Sequence, residues 1–191
     1  MLKLVDHLEF IRQNTSLLAP PLVPEVLLHL AHEAVPIWQK TEEELGEIGL
    51  PPPFWAFAWA GGQALARYVL DHPALVAGKR VLDLATGSGL VGIAAKKAGA
   101  ESVLAADIDL FATAAARLNA KANEVALDIT DDDLLQSGPG SFDVILVGDL
   151  FYEKDLAARV HAWLRRAQEQ GALALIGDPG RSYLPKSALT H

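Results

Sequence analysis

One turn constrains this chain more than any other feature. Val81-Leu82-Asp83-Leu84-Ala85-Thr86-Gly87-Ser88-Gly89-Leu90-Val91-Gly92 sets glycines at 87, 89 and 92 between an apolar run and a helical one. That G-x-G-x-x-G spacing lets the backbone turn sharply out of a strand and opens the N–H groups of a helix start to a ligand. The flanking sequence repeats the same alternation. Strands are predicted over residues 80–84, 102–107, 125–130, 142–147 and 172–176. Helices are predicted over residues 63–72, 90–98 and 110–123, and again along the stripe of Leu156, Val160, Trp163, Leu164 and Ala167. Strands alternating with helices imply a parallel sheet covered on both faces, so the expected fold is α/β and doubly wound.

Residues 1–62 have a different texture. They read as an N-terminal cap and aromatic segment over a core at residues 63–191, in one structural domain overall. Pro24 suits a first helical turn, and Leu27, Leu28, Leu30, Ala31, Ala34 and Val35 predict a helix that Pro36 interrupts. The stretch from Thr41 to Gly49 is acidic, and Pro51-Pro52-Pro53 stiffens its exit. Asp6, His7 and Glu9 break any secretory signal, and no run is long and apolar enough to span a membrane, so a cytoplasmic protein is expected. The formal net charge of −8 opposes nucleic-acid binding, and the absence of cysteine removes thiol chemistry and Cys-ligated zinc. His29 and His32 fall on the predicted helix without an acidic partner, so no metal site is expected.

The glycine turn admits two ligands. Asp107, 20 residues after Gly87, is placed to take both hydroxyls of a ribose, which keeps a nicotinamide dinucleotide open. Asp83 argues against it, because a carboxylate there repels a diphosphate and favours an ammonium. The pattern Val81-Leu82-Asp83-Leu84-x-x-Gly87-x-Gly89 resembles motif I of the class I S-adenosylmethionine-dependent methyltransferases, with Ala85-Thr86 where glycine or serine is more usual. The resemblance implies a Rossmann-like methyltransferase sheet and S-adenosyl-L-methionine as cofactor. It implies Asp107 on the ribose, with Asp109 the weaker candidate, Ile108 on the adenine, and Asp131 or Asp132 at its exocyclic amine. Ala85, Gly87, Gly89 and Gly148 would line the cofactor.

Further along, residues 142–147 run into Gly148-Asp149-Leu150-Phe151-Tyr152, at the strand end where ligands of parallel sheets bind. Asp149-x-x-Tyr152 resembles the D-x-x-Y motif of the seven-strand protein-lysine methyltransferases. The segment from Pro53 to Tyr68, with Trp55, Phe57, Trp59, Gly61 and Gly62, and the segment Ile176-Gly177-Asp178-Pro179-Gly180-Arg181 are similar to the electron-transfer flavoprotein β-subunit lysine methyltransferase family. The resemblance covers roughly residues 8 to 186. It implies methyl transfer to lysine of that β subunit, with Asp149 orienting the amine, Tyr152 walling the channel and Trp59 lining it. It also implies C-terminal strands that are missing here, so that an exposed fifth-strand edge leaves a monomer open to weak self-association. A small-molecule (nicotinamide-like) N-methyltransferase, a ribosomal-protein methyltransferase and a cofactor-binding module without turnover are the alternatives.

Overall fold

The computed structural model describes residues 7–32 and 52–190. The acidic stretch from Thr41 to Gly49, and Ala34 and Val35 of the helix predicted after Pro24, lie outside these residues.

The core is a five-stranded parallel sheet in the order β5-β4-β3-β6-β7. Its strands are β3 (Arg80–Leu84), β4 (Ser102–Ala106), β5 (Asp128–Thr130), β6 (Val144–Gly148) and β7 (Leu173–Gly177). Each is short, and all but the edge strand β5 (Asp128-Ile129-Thr130) are largely apolar on both faces, as strands covered by helices must be. Val81, Val103, Val144 and Leu146 face one side, where α2 (Ala60–Asp71) and α3 (Leu90–Lys97) pack. Leu82, Leu84, Ile145 and Val147 face the other, against Val160, Trp163 and Leu164 of α5 (Lys154–Glu169). The sheet is doubly wound, as the alternation implied. The strand order reverses beside β3, so the turn after β3 and the turn after β6 open side by side at the carboxyl end of the sheet.

The N-terminal segment departs from expectation. Helix α1 (His7–Asn14) is followed by β1 (Ser16–Leu18) and β2 (Leu28–Leu30), an antiparallel pair in register Ser16↔Leu30. The leucines at 27, 28 and 30 fit a helical stripe, but over so short a run they also fit a two-residue period, and the strand wins for a tertiary reason. Leu28 and Leu30 are buried in the core. Asn119 and Asn123, on and just past α4 (Leu110–Ala122), supply the backbone partners that a helix would have made internally. Asn119 Oδ1 accepts the His29 N–H at 2.7 Å, and the Asn123 amide bonds both the N–H and the carbonyl of Leu27. His29 and His32 therefore do not share a helix; they bond the Thr15 and Ser16 hydroxyls respectively. Pro24 follows a turn closed by the Val23 N–H on the Pro20 carbonyl.

A second junction fixes α2 to the sheet. Gly61 and Gly177 meet backbone to backbone, and an added Cβ on either would fall inside the carbonyl oxygen of the other. Gly148 at the end of β6 lies close to Gly62, though less tightly: the Gly62 Cα would stand 3.0 Å from a Cβ there. These glycines are needed so that a helix start can touch two strand ends. Gly61→Ala and Gly177→Ala are each expected to cost about 3 kcal/mol, because backbone rather than a rotamer must move. Equilibrium urea unfolding reads this as a lowered midpoint. Gly138→Ala, where an added methyl meets nothing within 4 Å, is the control expected to change little.

Candidate active site

The turns after β3 and β6 enclose a cavity of about 410 Å³ at the carboxyl end of the sheet. Its wall includes Trp59, Asp83, Ala85, Gly87, Asp107, Ile108, Gly148, Asp149 and Tyr152, all of them flagged by the sequence. Two others are not brought in. Gly89 turns away, and a Cβ there would press on Ala116 of α4 at 3.2 Å, so this glycine serves helix packing. Asp131 does not line the cavity; its neighbours Asp132 and Asp133 do.

The turn after β3 is built on a buried carboxylate. Asp83 Oδ2 accepts the Thr86 hydroxyl and, at 2.8 Å, the Gly92 N–H in the first turn of α3. Glycine at 92 suits this bond, because a Cβ there would stand 3.0 Å from that same oxygen and crowd it. Ala85, Gly87 and Gly89 take left-handed φ values of 55°, 54° and 84°. An alanine in that conformation carries strain, which structures retain mainly where a site needs the geometry. Gly87 faces open space, with nothing within 4 Å of an added Cβ, so a ligand can lie against its backbone.

Asp107 follows β4. Its Oδ2 accepts the Gly87 N–H at 2.9 Å and its Oδ1 the Asp109 N–H at 3.1 Å, which ties the two turns together and leaves lone pairs facing the cavity. Asp109 serves another purpose: it caps α4 by accepting the Phe111 N–H at 2.8 Å. Ile108 stands 70% exposed at the rim. Trp55 lies buried at the base, stacked on Phe111, while Trp59 is partly exposed with its Nε1–H on the Phe54 carbonyl.

Asp149 holds the opposite wall. It too is left-handed, at φ 56°, and buried. It does not start α5, which Glu153 precedes. Its Oδ2 accepts the Gly62 N–H at 2.7 Å, in the first turn of α2, and its Oδ1 accepts Arg181 Nη2 at 2.9 Å. Gly61 thus admits the Gly177 backbone, while Gly62 binds this carboxylate and also borders the cavity. Arg181 is a site residue to which the sequence assigns no individual role, as are Asp133 and Arg159. Its signal was its place, four residues past the glycine that ends β7. Tyr152 leans on Phe54 at the cavity edge, and burial pushes its hydroxyl pKa up.

The cavity is acidic. Asp83, Asp107, Asp109, Asp132, Asp133 and Asp149 line it; its two arginines, Arg159 and Arg181, are each paired with a carboxylate, Asp133 and Asp149. Burial pushes the Asp83 and Asp109 carboxyls up to about 6 and raises Asp107 as well. Such a lining repels a diphosphate and receives a ligand carrying an ammonium and a sulfonium, which disfavours the dinucleotide reading.

Residues 63–151 match the ribosomal protein L11 methyltransferase (PrmA) family. The electron transfer flavoprotein beta subunit lysine methyltransferase of Mus musculus is 40% identical over 185 residues, covering 95% of this chain and 71% of that protein. Its Xenopus laevis counterpart is 43% identical over 175 residues, covering 91% and 70%. A solved ribosomal protein L11 methylase from Lactobacillus delbrueckii subsp. bulgaricus aligns with a TM-score of 0.46, at 34% identity over 56% of each chain.

Asp83→Asn tests the electrostatic reading. The amide oxygen can keep the Thr86 and Gly92 donors while the charge is lost. The folded-state value of about 6 lies above the unfolded value near 4, so the folded chain holds the extra proton between them. The wild-type penalty is therefore complete above pH 6 and disappears as the pH falls towards 4. The variant is expected to melt above wild type at neutral pH, with the gap closing across that window, and to bind S-adenosylhomocysteine more weakly. Thermal melts and calorimetry measure the two effects.

Proposed function

The chain belongs to the electron-transfer flavoprotein β-subunit lysine methyltransferase family of class I methyltransferases, and from that premise we propose that it methylates lysine side chains of that β subunit. The observation that carries the reading is identity of 40% extending over 95% of the chain, acceptor wall included, rather than over the cofactor turn alone.

The cavity fits S-adenosylmethionine, which supplies a methyl group on a sulfonium when bound. Asp83 would meet its ammonium, Asp107 its ribose hydroxyls and Ile108 one face of its adenine, with Asp132 or Asp133 near the adenine edge. Each of these residues borders the cavity, and the open backbone at Gly87 leaves room between them.

Lysine presents a different problem. Its amine has a pKa of about 10.4 in water, so it arrives protonated and without a free lone pair. Asp149, just after β6, would accept an N–H from the deprotonated amine and so aim its lone pair into the cavity. Tyr152 and Phe54 narrow the approach, and Trp59 offers an aromatic face. The proton can leave through water, since Tyr152 stands 46% exposed at the opening. Orientation of this type supplies several kcal/mol of a transfer barrier without requiring a formal base (~7–11 kcal/mol at the upper limit).

Incubating the purified flavoprotein with enzyme and S-adenosylmethionine is expected to add mass in multiples of one methyl, mapped to lysines by peptide mass spectrometry. Mass gain on a lysine-free β subunit, or turnover of free amines with none on the protein, would refute the acceptor assignment. Asp149→Asn is expected to lower kcat by about a hundredfold. Asparagine tolerates the left-handed backbone and can still accept from Gly62, so the fold should survive and cofactor affinity should hold.

A further inference from the structure

We propose that Arg181 is a resident cation that stands in for the substrate amine on Asp149, and that Asp178 receives it when the amine arrives. This rests on the reading of Asp149 as the group that faces the acceptor amine.

The two oxygens of Asp149 are unequal. Oδ2 is fixed by the Gly62 N–H of α2, which cannot leave without unseating the helix. Oδ1 is held by a side chain, Arg181, at 2.9 Å. The guanidinium also lies 5.9 Å from the Trp59 ring centroid, on the cavity wall. A carboxylate on one side and an aromatic face on the other is the surrounding that an alkyl amine or ammonium seeks. Arg181 therefore occupies the polar half of the acceptor position, and the incoming nitrogen competes with it for Oδ1.

The place to which it can move is already built. The Asp178 side chain is 1% exposed. Its Oδ1 accepts the backbone N–H groups of Gly180 and Arg181 at 2.8 and 2.7 Å, which fixes the loop after β7. Its Oδ2 is buried with no hydrogen-bond partner, and Arg181 Nε, also buried, has none either. These two groups of opposite charge stand 4.0 Å apart. A guanidinium shift of about 1 Å closes that gap to hydrogen-bond length. Buried unpaired groups cost free energy, so the hydrogen bond gained at Asp178 offsets the one surrendered at Asp149. Arg181 is thus a positioning residue with one complete partner and one waiting.

Steady-state methylation of the flavoprotein β subunit by wild type, D178N, R181Q and the double variant tests this. D178N keeps an oxygen for the loop N–H groups but turns an amide donor towards Arg181 Nε, so the receiving anion is lost. KM for the protein substrate is expected to rise about tenfold in D178N, with S-adenosylhomocysteine affinity unchanged. R181Q is expected to lower KM, because the incoming amine no longer displaces a resident cation. The double variant should return to within about twofold of R181Q, because the defect in D178N exists only while the guanidinium is present. An unchanged KM in D178N, a double variant as impaired as D178N, or a KM in R181Q that is unchanged or raised would overturn the proposal. If D178N fails to fold, R181Q alone decides by the same criterion. A wild type that leaves the flavoprotein unmethylated refutes the acceptor and this proposal together. Methylation without the expected variant pattern refutes the Arg181 role alone.

Discussion

The Asp149 carboxylate is the joint on which the acceptor half of the molecule depends. One oxygen takes an N–H from the first turn of α2 and the other takes a guanidinium from the loop after β7, so three chain segments meet on a single buried charge. Removing such a group would leave a helix start and an arginine unmatched, which explains why its left-handed backbone is retained. The close approach of Gly61 to Gly177 and of Gly62 to Gly148 makes the joint possible, since any side chain there would hold the helix away from the strand ends.

The cofactor half depends on a second buried carboxylate with the same logic. Asp83 fastens the start of α3 through Gly92 while its charge is raised in energy by burial. The cofactor half is also tied to the N-terminal strand pair, through asparagine. Asn119 donates to the Ser88 carbonyl inside the glycine turn at 2.7 Å and accepts from His29 in β2, so the N-terminal strand pair is bonded to the turn that shapes the cavity.

Much of this was legible in the sequence, for reasons that differ along the chain. From Arg80 to Gly177 the strands other than β5 are largely apolar on both faces and turns between them carry glycine, so period and punctuation agree; β3 is read to the residue, and the others shift by one to three at their ends. The carboxylates at 83, 107 and 149 were readable because strand ends fix where a side chain must open. What failed is what only three dimensions decide. The Leu27–Leu30 run is a strand because Asn119 and Asn123, more than 80 residues away, satisfy its backbone. Gly89 packs against Ala116, a contact that the glycine spacing does not encode. Asp131 and Asp132 are adjacent in a solvated acidic run, where sequence offers nothing to choose between them. Arg181 belongs to a loop whose conformation is set by Asp178, and its direction follows from that turn alone.

The raised carboxyls of the cavity have a consequence beyond recognition. A pocket whose acids are costly while empty and matched when a cation fills it makes the folded chain a sink for its own ligand. Binding of such a cation is thereby coupled to folding, and an occupied molecule unfolds less readily than an empty one.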